Sequence, residues 1–295
     1  MRFRRSVAAA ACVAVVAAIG VSGASMVTSA APARSHHAVV RHPSASYLKQ
    51  ARAALVHYLK THRSHVLLSH PGTATNPSSA TSYNWGGYAD STSTNGYYTK
   101  VSASWKMPKV TCTNEDQLTS EWVGLDGYTS STVEQDGTLG WCFQGSATYY
   151  TWYEMYPAGT ITVGSTIQPG DAVDAAVTRT GTSYKLTVTD NTRSGNNVSQ
   201  TATCAATTCV DTSAEWIIER PAFSIGIAPL AKFSKWTLTK GSVTTTAGTG
   251  GISSVTGSAN PVQMVIGDAT GTYDLSTTTA LSGGNKFSST WLNSY

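Results

Sequence analysis

The feature that most constrains the fold is a series of short alternating runs that fills the chain from Tyr83 onward. Apolar, aromatic and β-branched residues recur at every second position, and Gly, Asn or Pro separates one run from the next. Examples are YYTKVSASWKM, TSEWVGLDG, YYTWYEMYP and YKLTVTDN. A period of two without a helical period predicts strands joined by turns. About 200 residues of this kind predict one all-β domain, an antiparallel two-sheet β-sandwich.

The run DTSAEWIIERP shows how the alternation sorts side chains between two faces. Successive strand side chains point to opposite faces, so Ala214, Trp216 and Ile218 form a set that faces the core. Glu215 and Glu219 share the opposite face. We interpret Glu219 as a solvated carboxylate without a role.

The first 33 residues carry the features of a secretory signal peptide. Three arginines stand near the start, an apolar stretch runs from Val7 to Val21, and small-residue sites such as TSA and APA follow. This order is typical of an export signal. The apolar stretch is short for a membrane span, and no later segment is long and apolar enough to be one. We therefore expect a secreted protein without membrane contact.

Charge separates a basic leader from an acidic body. Residues 1–70 hold nine Lys or Arg and no Asp or Glu. Residues 71–295 carry a net charge of −5, because eleven basic residues there oppose sixteen acidic ones. Basic residues so few and dispersed argue against nucleic acid as a partner of the body. A basic segment ahead of an acidic body predicts a propeptide that binds and inhibits the body.

The leader also has a structural pattern. Apolar residues recur at helical spacing, at Leu48, Ala51, Leu55 and Leu59. This spacing predicts an amphipathic helix over 44–62, and the Pro, Gly, Ser and Thr of 70–82 predict a linker. We expect a monomer with three parts, which are a signal peptide at 1–33, a His-rich basic propeptide and linker at 34–75, and a β-sandwich domain at 76–295.

All seven histidines lie in the leader, at positions 36, 37, 42, 57, 62, 65 and 70. The body has none. Serine and cysteine triads with a histidine base, and zinc sites with histidine ligands, are therefore excluded from the body alone. We expect an activity that needs neither a metal nor a cofactor.

Four cysteines remain once the signal peptide is removed, namely Cys112, Cys142, Cys204 and Cys209. An even number in an oxidising compartment predicts two disulfides. Four cysteines permit three pairings. The short separation of Cys204 and Cys209 favours that pair, and with it Cys112–Cys142.

Further runs place aromatic residues on one strand face together with a polar group or a glycine. Trp152 shares a face with Glu154, and Trp122 shares one with Asp126. Aromatic rings offer a broad apolar platform, and strand glycines let another backbone approach closely. The repetition predicts a cleft for an extended ligand.

Five motifs occur in the order NWGGY, WVGLDG, VEQDG, WYEMYP and TSAEWIIE. They resemble the successive signatures of the glutamic peptidases, or eqolisins. The resemblance implies a lectin-like or glucanase-like two-sheet β-sandwich and an endopeptidase that is made with a propeptide and acts in acid on polypeptides. It implies that Gln135 and Glu215 are the catalytic pair. It also implies that the substrate cleft is lined by Trp85, Trp122, Asp126, Trp152 and Glu154.

The chemistry of this pair suits amide hydrolysis. An ionised Glu215 can take a proton from a water that attacks the carbonyl, and can return that proton to the leaving nitrogen. The NH₂ group of Gln135 can donate to the developing oxyanion. No covalent intermediate is required.

Other functions use parts of the same pattern. Paired carboxylates such as Glu154 and Glu215 could serve a glycosidase, and a non-catalytic lectin-like module could stack sugars on the aromatic face. Neither alternative explains the basic propeptide or needs Gln135. The DTS at Asp211 is similar to the signature of pepsin-like peptidases, but those need a second such aspartate, which is missing here.

Overall fold

The structure is a computed structural model that describes residues 79–294, with gaps at 206, 225, 255–260 and 269–272, and parts of the region 46–70. Within that region the described residues are helical at 46, 49, 50, 53–55 and 57, and extended at 62, 63 and 68–70. The predicted signal peptide and the predicted boundary after residue 75 lie outside the described residues. Within the described part of the chain, no helix is long and apolar enough to cross a membrane.

The described strands follow one another with short connections, as the sequence pattern predicts. In chain order they are β1 (His62–Arg63), β2 (Leu68–His70), β3 (Ser79–Ser82), β4 (Trp85–Ser91), β5 (Tyr98–Lys106), β6 (Val110–Thr111), β7 (Gln117–Leu125), β8 (Val133–Phe143), β9 (Ser146–Tyr156), β10 (Ile161–Thr162), β11 (Ala172–Thr180), β12 (Ser183–Asp190), β13 (Val198–Thr203), β14 (Ser213–Glu219), β15 (Ala222–Phe223), β16 (Gly226–Ile227), β17 (Lys232–Phe233), β18 (Trp236–Thr245), β19 (Gly248–Gly251), β20 (Val262–Ile266), β21 (Ser276–Thr278) and β22 (Phe287–Trp291).

Two large sheets contain most of these strands. One has the order β10-β9-β8-β7-β14-β4-β20-β3-β2, and the other has the order β13-β12-β11-β5-β18-β22-β21, with β19 paired to β18. Neighbouring strands are antiparallel apart from β3 and β20, which run parallel. The predicted antiparallel two-sheet sandwich is therefore confirmed.

The core lies between the two sheets, and it receives alternate residues of each strand. Ala214, Trp216 and Ile218 belong to this core, as the alternation in β14 predicts. Ile217, between them, belongs to a second apolar cluster on the outer face of the nine-stranded sheet. That face, referred to below as the cleft face, also carries the predicted site residues.

Both favoured disulfides are present. Cys112 is bonded to Cys142, and Cys204 is bonded to Cys209. The first bond joins the segment after β6 to the end of β8, and the second closes a short loop ahead of β14. Both crosslinks therefore lie in the part of the chain that forms the sandwich.

The leader departs from its predicted structure at two points. The predicted helix extended to residue 62, but His62 begins β1, whose backbone pairs with that of β15. The predicted linker extended to residue 82, but β3 joins the large sheet between β2 and β20. Sheet edges supply backbone partners that a solvated linker lacks, so these polar residues are drawn into strands.

Candidate active site

The predicted catalytic residues meet in one row that crosses the cleft face at right angles to the strands. Gly124, on β7, lies opposite Gln135 of β8 on one side and Glu215 of β14 on the other. The row continues from Gln135 to Glu154 and from Glu215 to Ala89. Directly opposed residues in a sheet share a face, so Glu154, Gln135 and Glu215 all point into the cleft.

The glycine in the middle of this row leaves room for the ring of Trp122. Two strand spacings separate the backbones of Gln135 and Glu215 by about 9.6 Å. A Cβ on Gly124 would lie 3.3 Å from the Gln135 Cβ and 2.9 Å from the Trp122 ring. The Trp122 ring therefore packs over Gly124 where a side chain would otherwise stand, beside the amide and the carboxyl.

The amide of Gln135 is held in one orientation by its neighbour in the row. Its Nε2 donates to Glu154 Oε2 at 2.6 Å, and Thr160 Oγ1 donates to Glu154 Oε1 at 2.9 Å. Gln135 is fully buried, and its Oε1 has no hydrogen-bond partner among the described residues. The Glu154 contact fixes the donor end of the amide, and the acceptor end remains available.

Glu215 is fully buried, and neither carboxyl oxygen makes a hydrogen bond with a described residue. Burial raises the pKa of Glu215 well above its ordinary range, and the Asp126 and Glu134 carboxylates raise it further. The nearby Ser213 hydroxyl and Tyr128 backbone amide do not form hydrogen bonds of good geometry with it, but they favour the ionised form and oppose this shift of the pKa without reversing it. Burial at this position therefore disfavours the ionised form of Glu215.

The tryptophans form the apolar wall of the cleft beside the catalytic row. Trp85 meets Trp122 edge to face, with ring centroids 4.9 Å apart. Trp152 is also buried on this face, opposite Gly137. Glu219 belongs to the same wall, because its Oε2 accepts a 2.9 Å hydrogen bond from Trp122 Nε1. The interpretation of Glu219 as a solvated carboxylate is wrong, since it is fully buried and tied to the wall.

Asp126 lies at the end of β7, with a φ of 67°. Its Oδ2 accepts from the Asp211 amide at 2.8 Å, and its Oδ1 accepts from the Thr212 amide at 3.0 Å. Both carboxyl oxygens are thus bound to the backbone that leads into β14. Asp126 holds the approach to Glu215 in place.

A cluster of carboxyls that the sequence analysis did not identify lies behind the row. Asp126, Glu134 and Asp211 each contribute one carboxylate oxygen, and these three atoms lie within 4.8 Å of one another. Asp211 accepts from the Tyr184 hydroxyl at 2.7 Å and pairs with Arg179 at 3.2 Å. The oxygens of Asp126 and Asp211 already have protein donors, so the cluster does not require a cation. Strand alternation points Glu134 away from the cleft, and a charged residue on a core-facing position was the available signal.

Two described residues of the leader pack on the cleft face. Leu55 is fully buried and belongs to the same apolar cluster as Trp85, Trp122 and Trp152. Ala54 packs against this cluster as well. A leader residue therefore contributes to the burial of the wall beside the catalytic row.

Known proteins are similar to this chain in sequence. A sequence profile of the Peptidase A4 family matches residues 83–291. Aspergillopepsin-2 of Aspergillus niger is 28% identical over 182 residues, which cover 54% of this chain and 64% of that protein. Scytalidopepsin B of Scytalidium lignicola is 31% identical over 138 residues, 46% of this chain and 51% of that protein. The chain thus spans between half and two thirds of the length of these curated relatives.

Solved structures agree on the fold. A scytalido-glutamic peptidase with a transition state analog inhibitor superposes with a TM-score of 0.57 at 25% identity, over 71% of this chain and 98% of that one. Aspergilloglutamic peptidase from Aspergillus niger superposes with a TM-score of 0.51 at 28% identity, over 60% of this chain and 99% of that one.

Proposed function

The chain belongs to the Peptidase A4 family, the eqolisins, and from that premise we propose that it is a secreted endopeptidase that acts in acid. It hydrolyses peptide bonds with Gln135, Glu215 and an activated water. The observation that carries this proposal is the row in which Gln135 and Glu215 flank Gly124. An amide donor and a carboxyl lie there on either side of a residue without a side chain.

Glu215 is the general base and then the general acid. Its ionised carboxylate takes a proton from the water as the water attacks the scissile carbonyl carbon. The same carboxyl then gives the proton to the departing amine nitrogen. Each proton is accounted for, and the peptide bond breaks without a covalent enzyme intermediate.

Gln135 stabilises the charge that develops on the carbonyl oxygen. Its Nε2 has two hydrogens, one of which is directed to Glu154. The second can donate to the oxyanion, while the unpartnered Oε1 helps to position the water. Glu154 thereby preorganises the amide. Since both Glu154 oxygens accept hydrogen bonds, Glu154 is poorly placed to act as the second carboxyl of a glycosidase.

The leader acts as the inhibitor of this site. Leu55 packs against the tryptophan wall beside the row, and burial raises the pKa of Glu215, which disfavours the ionised form that serves as the base. Departure of the leader admits water, which brings the pKa of Glu215 back toward its ordinary value of 4.5. Glu215 then ionises in the acid range, where the proposed activity lies.

Acid also favours that departure. Protonation of body carboxyls weakens their attraction to the basic leader, and protonation of leader histidines adds repulsion within it. We expect precursor processing to be faster in acid than at neutral pH, as followed by the loss of the full-length band. Equal processing rates at both pH values would contradict the proposed release of the leader in acid.

Incubation of the processed protein with a denatured protein in acid tests the proposed activity. We expect new fragments whose yield is unchanged by metal chelators and by serine-directed reagents, because the mechanism uses neither a metal nor a serine. Pepstatin-like inhibitors should be poor, since no aspartate pair is used. Strong inhibition by a chelator would contradict the mechanism.

A further inference from the structure

One end of the cleft face opens into a pocket that the mechanism does not use. Its volume is about 690 Å³. Val210 supplies its apolar lining, and the other six lining residues carry a neutral hydroxyl or amide, namely Ser91, Thr92, Ser93, Asn95, Thr129 and Thr212. No lining residue is charged. Thr129 Oγ1 and Thr212 Oγ1 lie 2.9 Å apart, which brings two hydroxyls together at the pocket wall.

The pocket lies at a defined distance from the catalytic row. Ser91 pairs with Ser213, and the next residues on that face, Ala89 and Glu215, form the pair at the row. Two residues along a strand correspond to about 7 Å. The other direction along the same strands leads to the tryptophan wall. The row therefore has a polar pocket on one side and an apolar surface on the other.

An extended peptide advances by the same distance per residue as the strands beneath it. If its scissile carbonyl lies between Gln135 and Glu215 and its backbone follows the strands, a side chain two residues away reaches the pocket. Neutral donors and acceptors in a pocket without charge match neutral polar side chains. An apolar side chain would offer these hydroxyls and amides no hydrogen-bond partner and would displace water from them.

We propose that this pocket is a substrate subsite for a neutral polar side chain, such as that of Asn, Gln, Ser or Thr, two residues from the scissile bond. The inference rests on the proposed peptidase function. It adds a directional preference, with a polar side chain on the pocket side of the cleaved bond.

Quenched fluorescent peptides of one sequence, with Asn or Leu placed at one position at a time, test this subsite on the acid-processed protein. Asn and Leu have similar size, so the ratio of their kcat/KM values reports polarity. We expect the ratio to favour Asn at one position two residues from the cut. In Thr129→Val the ratio should fall about fivefold, the effect of one lost hydrogen bond.

Ser93→Ala changes an exposed residue, so it keeps the test valid should Thr129→Val fold poorly, and it should lower the ratio in the same direction. Thr189→Val, on the other sheet, is the matched control and should leave the ratio unchanged. Cleavage without an Asn preference, or with a preference that both pocket variants retain, would overturn the subsite and leave the peptidase function standing. If no peptide of the series is cleaved, the proposed function fails and the subsite fails with it.

Discussion

Strands β7 and β8 bury carboxyl or amide groups on both faces, but the two faces surround them differently. On the cleft face, Gln135 lies beside Gly124 on one side, and Glu215 lies beside it on the other. On the face between the sheets, Glu121 accepts hydrogen bonds from Thr119 and Thr138, at 3.2 and 2.8 Å.

The carboxyls between the sheets are covered by the opposite sheet. Burial raises the pKa of Glu121 to about 8 and raises the pKa of Glu134 and of Asp136 well above the ordinary range. Trp105, from the opposite sheet, donates to Thr138 and closes the space above Glu121. The raised pKa values favour the protonated form of these carboxyls, which lie between the sheets and away from the cleft face. On the cleft face, Leu55 of the leader packs against the tryptophans, so removal of the leader, as proposed above, would reverse part of the burial there.

The largest effect in this comparison is expected from Gln135→Ala. Loss of one oxyanion donor removes roughly 2.7–4 kcal/mol of transition-state stabilisation, so kcat should fall about 10²- to 10³-fold. The unfolding midpoint should change far less. Gln135→Glu should not restore activity, because a second carboxyl provides no amide donor. A near-normal kcat in Gln135→Ala would contradict the catalytic role that we assign to the cleft face.

The next effect concerns the inter-sheet face and appears in stability. A carboxyl whose pKa rises from 4.5 to about 8 on folding stabilises the protein fully below pH 4.5, and this contribution is lost as the pH rises toward 8. Each such group lowers the unfolding free energy by about 1.4 kcal/mol per pH unit within that window.

Glu121→Gln keeps one acceptor oxygen, has an NH₂ donor in place of the other, and does not titrate. The loss of stability between pH 4.5 and 8 should therefore be smaller by about 1.4 kcal/mol per pH unit. Chemical denaturation at several pH values measures it, and exposed Glu115→Gln is the matched control. An unchanged slope in Glu121→Gln would show that Glu121 is already ionised when folded.

The smallest effect is expected from Glu219→Gln. Glu219 shares the cleft face with Glu215, but it acts on Trp122 by accepting a hydrogen bond. A glutamine retains the acceptor, so the unfolding free energy should fall by about 1 kcal/mol or less and kcat should hardly change. Glu219→Ala, which removes the acceptor, should cost more stability. A large loss of kcat in Glu219→Gln would place Glu219 in the chemistry.

The alternation of the sequence predicts the side on which a residue lies, and for this reason the sandwich and the faces of β14 were predictable. The two disulfides were predictable from the even number of cysteines and from the short separation of Cys204 and Cys209. It does not predict what covers that side. Glu219 was interpreted as solvated because strand period gives no information about the Trp122 indole or about a leader segment that packs on the same face. Leu55 is more than sixty residues from Trp122 in sequence, and such contacts leave no local signal.

Other parts of the site depend on turns and on long-range pairing. Asp126 was expected to line the cleft, whereas its oxygens accept from the Asp211 and Thr212 amides. That contact depends on the φ of 67° at Asp126, which a strand pattern does not reveal. Gly124 lies in the WVGLDG motif, but only the strand register shows that it is placed between Gln135 and Glu215.

The central claim is that Glu215 serves chemistry, and the rate of peptide cleavage in acid by the processed Glu215→Gln protein tests it most directly. Glutamine keeps the shape of the side chain but cannot take up and return the proton. Circular dichroism and the melting temperature must first show a folded protein. The account predicts a folded protein whose cleavage rate is near background. A folded Glu215→Gln protein that cleaves at the wild-type rate would contradict it.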